Sequence, residues 1–256
     1  MSKYIKFINQ FKMLVIFPLM HLVVLYGIFT NAYWYLLLPC GILMTYPIMY
    51  LGQSIGYHKM FAHKAFKPKK WFPYLSAFLG SISFTGSPLG YALLHRIHHK
   101  HVDTELDPHS PMHGRFHAYI GWLINYAPPA NERAAVIDLV RQYPWLVFYS
   151  KYEWLVFLTF HTTMFLLSPT LFLVIMMACL LSMNNALLLN AFSHDASNGC
   201  WSATDTIWLA KYISPTFLHK QHHDVPGKWD YSDSEVKDLS RWIIKNWLAE
   251  DPNKVK

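Results

Sequence analysis

Residues 13–57 read MLVIFPLMHLVVLYGIFTNAYWYLLLPCGILMTYPIMYLGQSIGY and contain no Asp, Glu, Lys or Arg. A second block, residues 154–193, reads WLVFLTFHTTMFLLSPTLFLVIMMACLLSMNNALLLNAFS and is also free of charge. A helix crosses the apolar core of a bilayer in roughly 20 residues, so each block is long enough for two spans. Each breaks near its middle, at Thr30-Asn31-Ala32 and at Ser168-Pro169-Thr170. The pattern predicts an all-α, multi-pass membrane protein with four transmembrane helices in two hairpins. The spans fall near 13–30, 33–54, 153–168 and 170–191. Residues 55–152 and 192–256 then form a His-rich helical cap, and 1–256 is one domain.

The charges that exist agree with this layout. All 22 Lys and Arg fall in residues 1–12, 59–151 and 211–256. Four spans put those segments on one side, which the positive-inside rule makes cytosolic, together with both termini. Residues 71–94 are also uncharged, but they hold Gly80, Gly86, Pro88 and Gly90. Such a segment makes poor lipid-facing helix and is expected at the interface or against protein. Lys3, Lys6 and Lys12 before an apolar run imitate a signal peptide; the length of the run and the second run behind it favour a retained signal anchor.

Composition narrows the classes. The chain is 53% hydrophobic and 14% charged, against about 25% charged for soluble chains. That excludes a disordered chain and argues against a soluble enzyme. Three cysteines exclude a disulfide scaffold or a cysteine-rich zinc module. The net charge of +7 suits a membrane surface. Its basic residues follow topology rather than forming one cluster, so no nucleic-acid partner is expected. Near the end, Ser232 and Glu235 have capping-box spacing. Val236, Leu239, Trp242, Ile243 and Trp247 follow at roughly helical spacing and predict a terminal helix on the cap or the lipid interface.

The 15 histidines are grouped. His58 and His63 form H-x4-H. His95, His98 and His99 form H-x2-H-H, and His219, His222 and His223 repeat it. At this abundance one H-x2-H-H arises by accident in roughly one chain in twenty, and two far more rarely. Positions i, i+3 and i+4 share a helix face, so each box presents three imidazoles together. His58 and His63, at i and i+5, do not share a face on a regular helix but can converge where the span ends and the chain turns. Asn190 and His194, at i and i+4, share a face at the end of the fourth span. Every group lies at the same-side end of a span. Nine converging histidines indicate metal or haem. They are too many for one closed four-ligand ion and fit two ions with four or five ligands each. His21 and His161, within the spans, are expected to be packed or hydrogen-bonded rings rather than haem ligands.

These residues resemble the membrane fatty-acid desaturase family, and within it the acyl-CoA (stearoyl-CoA type) delta-9 desaturases. Beyond the three boxes, His95-Arg96-Ile97-His98-His99-Lys100 is followed by Asp103-Thr104 and Asp107-Pro108-His109. Asn190-x-x-x-His194 and Gly121-Trp122-Leu123 also match. The resemblance runs from about residue 33 to 232. It departs at Pro215-Thr216-Phe217, where the family has Gly-Glu-Gly, at Lys220 in place of Asn, and at Lys59 in place of Arg.

The resemblance implies two Fe ions, with Asn190 holding a metal-bound water. O2 is then the co-substrate, and electrons come from an external donor, cytochrome b5 or a ferredoxin. The substrate is a saturated fatty-acyl chain on CoA, lipid or carrier protein, which gains a cis double bond, expected at delta-9. The metal side faces the cytosol, at the endoplasmic reticulum in a eukaryote or the cytoplasmic or thylakoid membrane in a bacterium. Asp103, Asp107, Asp205 and Asp224 are candidates for orienting the ligand rings through their second nitrogen. Trp122 is a candidate wall of a substrate tunnel. Tyr46, Met49 and Tyr50, two to three turns before His58, are candidates for its end. Two other readings share these residues: a lipid hydroxylase with the same boxes, and a non-catalytic metal- or haem-binding membrane protein.

Overall fold

The computed structural model describes residues 7, 9–196 and 200–251, so the start of the expected signal anchor, with Lys3 and Lys6, lies outside the described residues. Among the described residues, three helices are long and apolar enough to cross a membrane: Asn9–Thr30, Trp34–Ala62 and Pro169–Phe192. The first and last, 22 and 24 residues, reach about 33 and 36 Å at helical rise, against about 30 Å of bilayer core. Asn31 ends the first helix in extended backbone and Ser168 caps the last, accepting from Leu171 N at 3.3 Å. Both breaks read from the sequence are therefore turns.

The expected span 153–168 differs. It is the distal part of one 23-residue helix, Trp145–Leu167, which begins eight residues earlier and includes Lys151 and Glu153. As a whole it is not among the helices apolar enough to cross. Glu153 meets Lys12 at 3.6 Å with both largely covered, and Lys12 Nζ lies 4.6 Å from the Trp154 ring. The ion pair thereby ties the first helix to the Trp145–Leu167 helix.

Residues 71–94 do not form a span. Phe72–Ile82 is an 11-residue helix, about half a bilayer long. It packs on the upper part of the Trp34–Ala62 helix. Phe72 and Ala77 are fully buried. A Cβ on Gly56 would strike Ser76 and the Leu51 carbonyl, so these helices approach at backbone distance only because residue 56 lacks a side chain. The Pro88–His101 helix follows, with Ser87 Oγ accepting from Gly90 N.

The C-terminal expectation needs correction. Ser232 does not begin a helix; its hydroxyl accepts from Asp238 N at 3.0 Å. Asp238 is the cap, accepting from Ser240 N at 2.8 Å, and the helix runs Leu239–Ile243. It continues into a wider turn, Ile244–Leu248. The wider winding rotates the stripe: Val236, Ile244 and Leu248 are buried, while Leu239, Trp242 and Trp247 remain at least half exposed.

Candidate metal centre

The first box depends on an unusual backbone. From Ile48 to Ala62 the helix is wound as a π-helix, with i→i+5 bonds such as His63 N to His58 O at 3.1 Å. That winding stacks residues five apart. His58 and His63 therefore share a face without a chain reversal, their ring centroids 4.9 Å apart. The second box sits on the Pro88–His101 helix and the third on the six-residue helix His219–Asp224.

Arg96, inside the second box, locks the first two together. It donates to Ala62 O at 2.8 Å and Phe61 O at 2.9 Å, the carbonyls left open where the first-box helix ends. It also pairs with Asp138 at 2.7 Å. His194 is not on the helix with Asn190, as spacing suggested. The helix stops at Phe192, and His194 lies in a short antiparallel pair with Ala203.

The nine ring nitrogens converge in two sets. In one, Nε2 of His63 lies 2.7 Å from that of His95, His95 3.1 Å from His99, His99 2.7 Å from His222, and His222 3.1 Å from His58. In the other, the steps are His98 to His223 at 3.2 Å, His223 to His219 at 3.0 Å and His219 to His194 at 3.1 Å. A neutral imidazole has one N–H, so nitrogens with two such neighbours cannot all be donors and acceptors to one another. Nitrogens about 2.1 Å from a shared ion stand about 3.0–3.4 Å apart in octahedral or tetrahedral geometry, close to these separations. Both sets thus fit a metal ion, His58, His63, His95 and His222 for one and His98, His194, His219 and His223 for the other, with His99 between them.

Burial prepares the rings. It holds His95, His98, His219 and His222 well below the usual histidine range, with neighbouring imidazoles adding to the effect. They are neutral at pH 7, the state that ligates.

The outward nitrogens have partners. With Nε2 facing inward, His98 Nδ1–H donates to Asp107 Oδ1 at 2.9 Å and His194 Nδ1–H to Asp103 Oδ1 at 2.9 Å. Burial pushes Asp107 up to about 6, opposed by the backbone N–H groups of His109 and Asp103. Among the described residues, Asp205 and Asp224 hydrogen-bond to no ring. Asp205 accepts from Lys220 N at 2.8 Å and so caps the third-box helix. Asp224 pairs with Lys220 on the surface. Sequence reading missed Tyr231, whose hydroxyl lies 3.0 Å from His222 Nδ1. Its fully buried position is set by Asp238, which accepts from Tyr231 N at 3.1 Å and pairs with buried Lys59 at 2.7 Å. A lone tyrosine in a polar stretch carries no motif that would have revealed it.

Two openings serve the site. A cavity of about 130 Å³ reaches His58, His98 and His219 and is walled by Met49, Trp122, Leu187 and Asn190. Trp122 is buried, and Asn190 lines the same cavity. An apolar groove of about 700 Å³ lies alongside, lined by Tyr46, Met49, Leu188 and Trp208. Met49 and Asn185 border both spaces. Tyr50 borders neither; it is buried in the core with Tyr57 and Phe61. A cleft of about 460 Å³ exposes His99 and His223 between Asp103, Trp201 and Lys220.

The substituted Pro215-Thr216-Phe217 forms a single 3₁₀ turn begun by Ser214. It buries Phe217 and places Thr216 on the cavity wall. His21 is bonded to Asn184 at 3.1 Å and to Phe17 O, and His161 to Ile82 O at 2.9 Å. Both are packed rings.

No family model matches the chain. Individual proteins do. It is 30% identical over 187 residues to "Delta-9 acyl-lipid desaturase 2" of Arabidopsis thaliana, covering 70% of this chain and 61% of that protein. It is 29% identical over 256 residues to "Acyl-CoA Delta(11) desaturase" of Choristoneura rosaceana, covering 92% and 74%. It is 26% identical over 185 residues to "sn-1 stearoyl-lipid 9-desaturase" of Anabaena variabilis, covering 68% and 66%. The chain spans 61–62% of the length of the two Arabidopsis acyl-lipid relatives. With three histidine boxes folded around two metal-sized pockets, the chain is similar over most of its length to membrane fatty-acid desaturases.

Proposed function

We propose that this protein is an O2-dependent di-iron fatty-acyl desaturase that introduces a cis double bond, at delta-9, into a saturated acyl chain. The observation that carries the reading is the contact between two all-imidazole pockets and one narrow apolar cavity. Removing hydrogens from adjacent methylenes offers no acidic proton to a base. Two irons, when bound, supply with O2 the oxidising power that such C–H bonds demand. His58, His63, His95 and His222, with His99, are the ligands proposed for one ion. His98, His194, His219 and His223 are those for the other, with Asn190 holding a bound water. Asp107 and Asp103 fix ring orientation and keep Nδ1 protonated. Met49, Trp122 and Leu187 exclude water and hold one carbon pair beside the ligands, where position rather than reactivity selects the bond.

Four spans, including the Trp145–Leu167 helix, complete the proposed topology. The termini and metal centre then face the cytosol, where cytochrome b5 or a ferredoxin supplies electrons. The acyl chain lies in the groove between the Trp34–Ala62 and Pro169–Phe192 helices and passes Met49 into the cavity. Expression in a host lacking its own delta-9 desaturase tests this, with fatty-acid profiling, double-bond location and an Asn190→Ala/His194→Ala control. A new cis monounsaturated acid absent from the control is expected. The relatives include both delta-9 and delta-11 desaturases, so a bond at carbon 11 would revise the position alone. Hydroxylated acids would replace desaturation with hydroxylation.

A further inference from the structure

The two metal pockets have similar rings but different surroundings. Behind the His98, His194, His219 and His223 pocket stand two carboxylates. Asp107 is fully buried as a side chain and meets His98 Nδ1 at 2.9 Å. Asp103 reaches His194 Nδ1 with both oxygens, at 2.9 and 3.1 Å. Asp107 is fixed in turn by the N–H groups of Asp103 and His109, each at 3.2 Å. Behind the His58, His63, His95 and His222 pocket, the ring partner recorded among the described residues is the neutral phenol of Tyr231. Lys59 Nζ lies 4.1 Å from the Tyr231 ring and is neutralised by Asp238. This second pocket thus has no net anion behind its rings.

Taking as its basis the dinuclear metal centre proposed above, we infer that the two sites bind metal unequally. The Asp-backed site fills first and empties last; the Tyr-backed site is the weak one. A buried dication among neutral ligands lacks the counter-charge that offsets its desolvation, and His99 as a fifth neutral ring adds a ligand but no charge. A carboxylate accepting from a ligand ring raises that ring's basicity and places a negative charge one ring away. Losing such a partner typically costs 10–100-fold in metal affinity, so two of them separate the sites by at least about tenfold.

The test uses the full chain in detergent, stripped of metal and titrated with Co(II), followed by ligand-field absorption and elemental analysis. Two steps of one equivalent each are expected, separated tenfold or more. His219→Ala removes the tight step and His63→Ala the weak one. Asp103→Asn with Asp107→Asn weakens the tight step tenfold or more and leaves the weak step in place. Tyr231→Phe shifts only the weak step. Should a variant fail to fold, the wild-type protein answers alone: excess chelator releases Co(II) in two phases, and the half-loaded protein retains the spectrum of the tight site. Two equivalents bound in one step, or loss of the tight step in His63→Ala, overturns the inequality while leaving the dinuclear centre standing. No Co(II) binding at all overturns the centre itself.

Discussion

Lys59→Met is expected to destabilise the protein more than any surface charge change. Lys59 and Asp238 have side chains 1% and 0% exposed and meet at 2.7 Å. Removing one partner of a buried pair leaves the other charge uncompensated and costs about 3–5 kcal/mol. For a chain of this size that corresponds to a fall in melting temperature of roughly 6–10 °C. Asp238 also accepts from Tyr231 N and Ser240 N, so Asp238→Ala adds two orphaned donors and should fall further. Asp238→Asn keeps an acceptor oxygen for one of them, since Tyr231 N bonds Oδ2 and Ser240 N bonds Oδ1. The double variant Lys59→Met/Asp238→Asn, with no charge left behind, should recover at least about 1 kcal/mol of the single-variant loss. The assay is thermal unfolding of purified protein in detergent, with Lys220→Met as reference, because the Lys220–Asp224 pair is 58% exposed on both sides and worth little. If Lys59→Met and Lys220→Met shift the melting point equally, the buried pair does not hold the C-terminal segment and the reasoning fails.

Three further outcomes follow from the structure. Gly56→Ala drives a methyl into Ser76 and the Leu51 carbonyl, so loss of about 1–3 kcal/mol and poor recovery of folded protein are expected by fluorescence-detected size exclusion; unchanged recovery would contradict the packing. Burial holds His99 at about 2, His109 at about 3 and His223 at about 4. Their folded values lie below the unfolded value near 6.5, so the unfolded state gains protons first and stability is lost as pH falls below 6.5. From pH 7 to 5.5 the three together cost the metal-free protein about 3–4 kcal/mol, seen as a falling melting point; a flat profile would refute it. For chain length, Met49→Ala should lengthen the favoured acyl product, since Met49 borders both cavity and groove. Tyr50→Ala should lower stability and leave product length unchanged; the reverse result would move the tunnel end to Tyr50.

Much of this arrangement is written in local pattern. Charge-free blocks report spans because burying an ion in lipid is costly, and that signal needs no tertiary knowledge. The two H-x2-H-H boxes are legible because i, i+3 and i+4 coincide on any α-helix. His58 and His63 are not legible this way: their alignment depends on i→i+5 winding, which no residue pattern in Ile48–Ala62 announces. Reading Ser232 as a cap fails because Asp238, six residues on, is held by Lys59 and wins the helix start. Asp103 and Asp107 reach rings through the tight turns after His101, whereas Asp205 and Asp224, also carboxylates, bond to Lys220 instead. Direction of a short side chain is a tertiary fact, and sequence offers only proximity.

The cleft that exposes His99 and His223 between Asp103, Trp201 and Lys220 has a consequence for biogenesis. In the proposed topology this cleft faces water, so ions would reach the pockets without crossing lipid, and insertion into the membrane and metallation would be separable events. A chain inserted without metal would then settle in its bilayer and be completed later from that aqueous side, with no new synthesis.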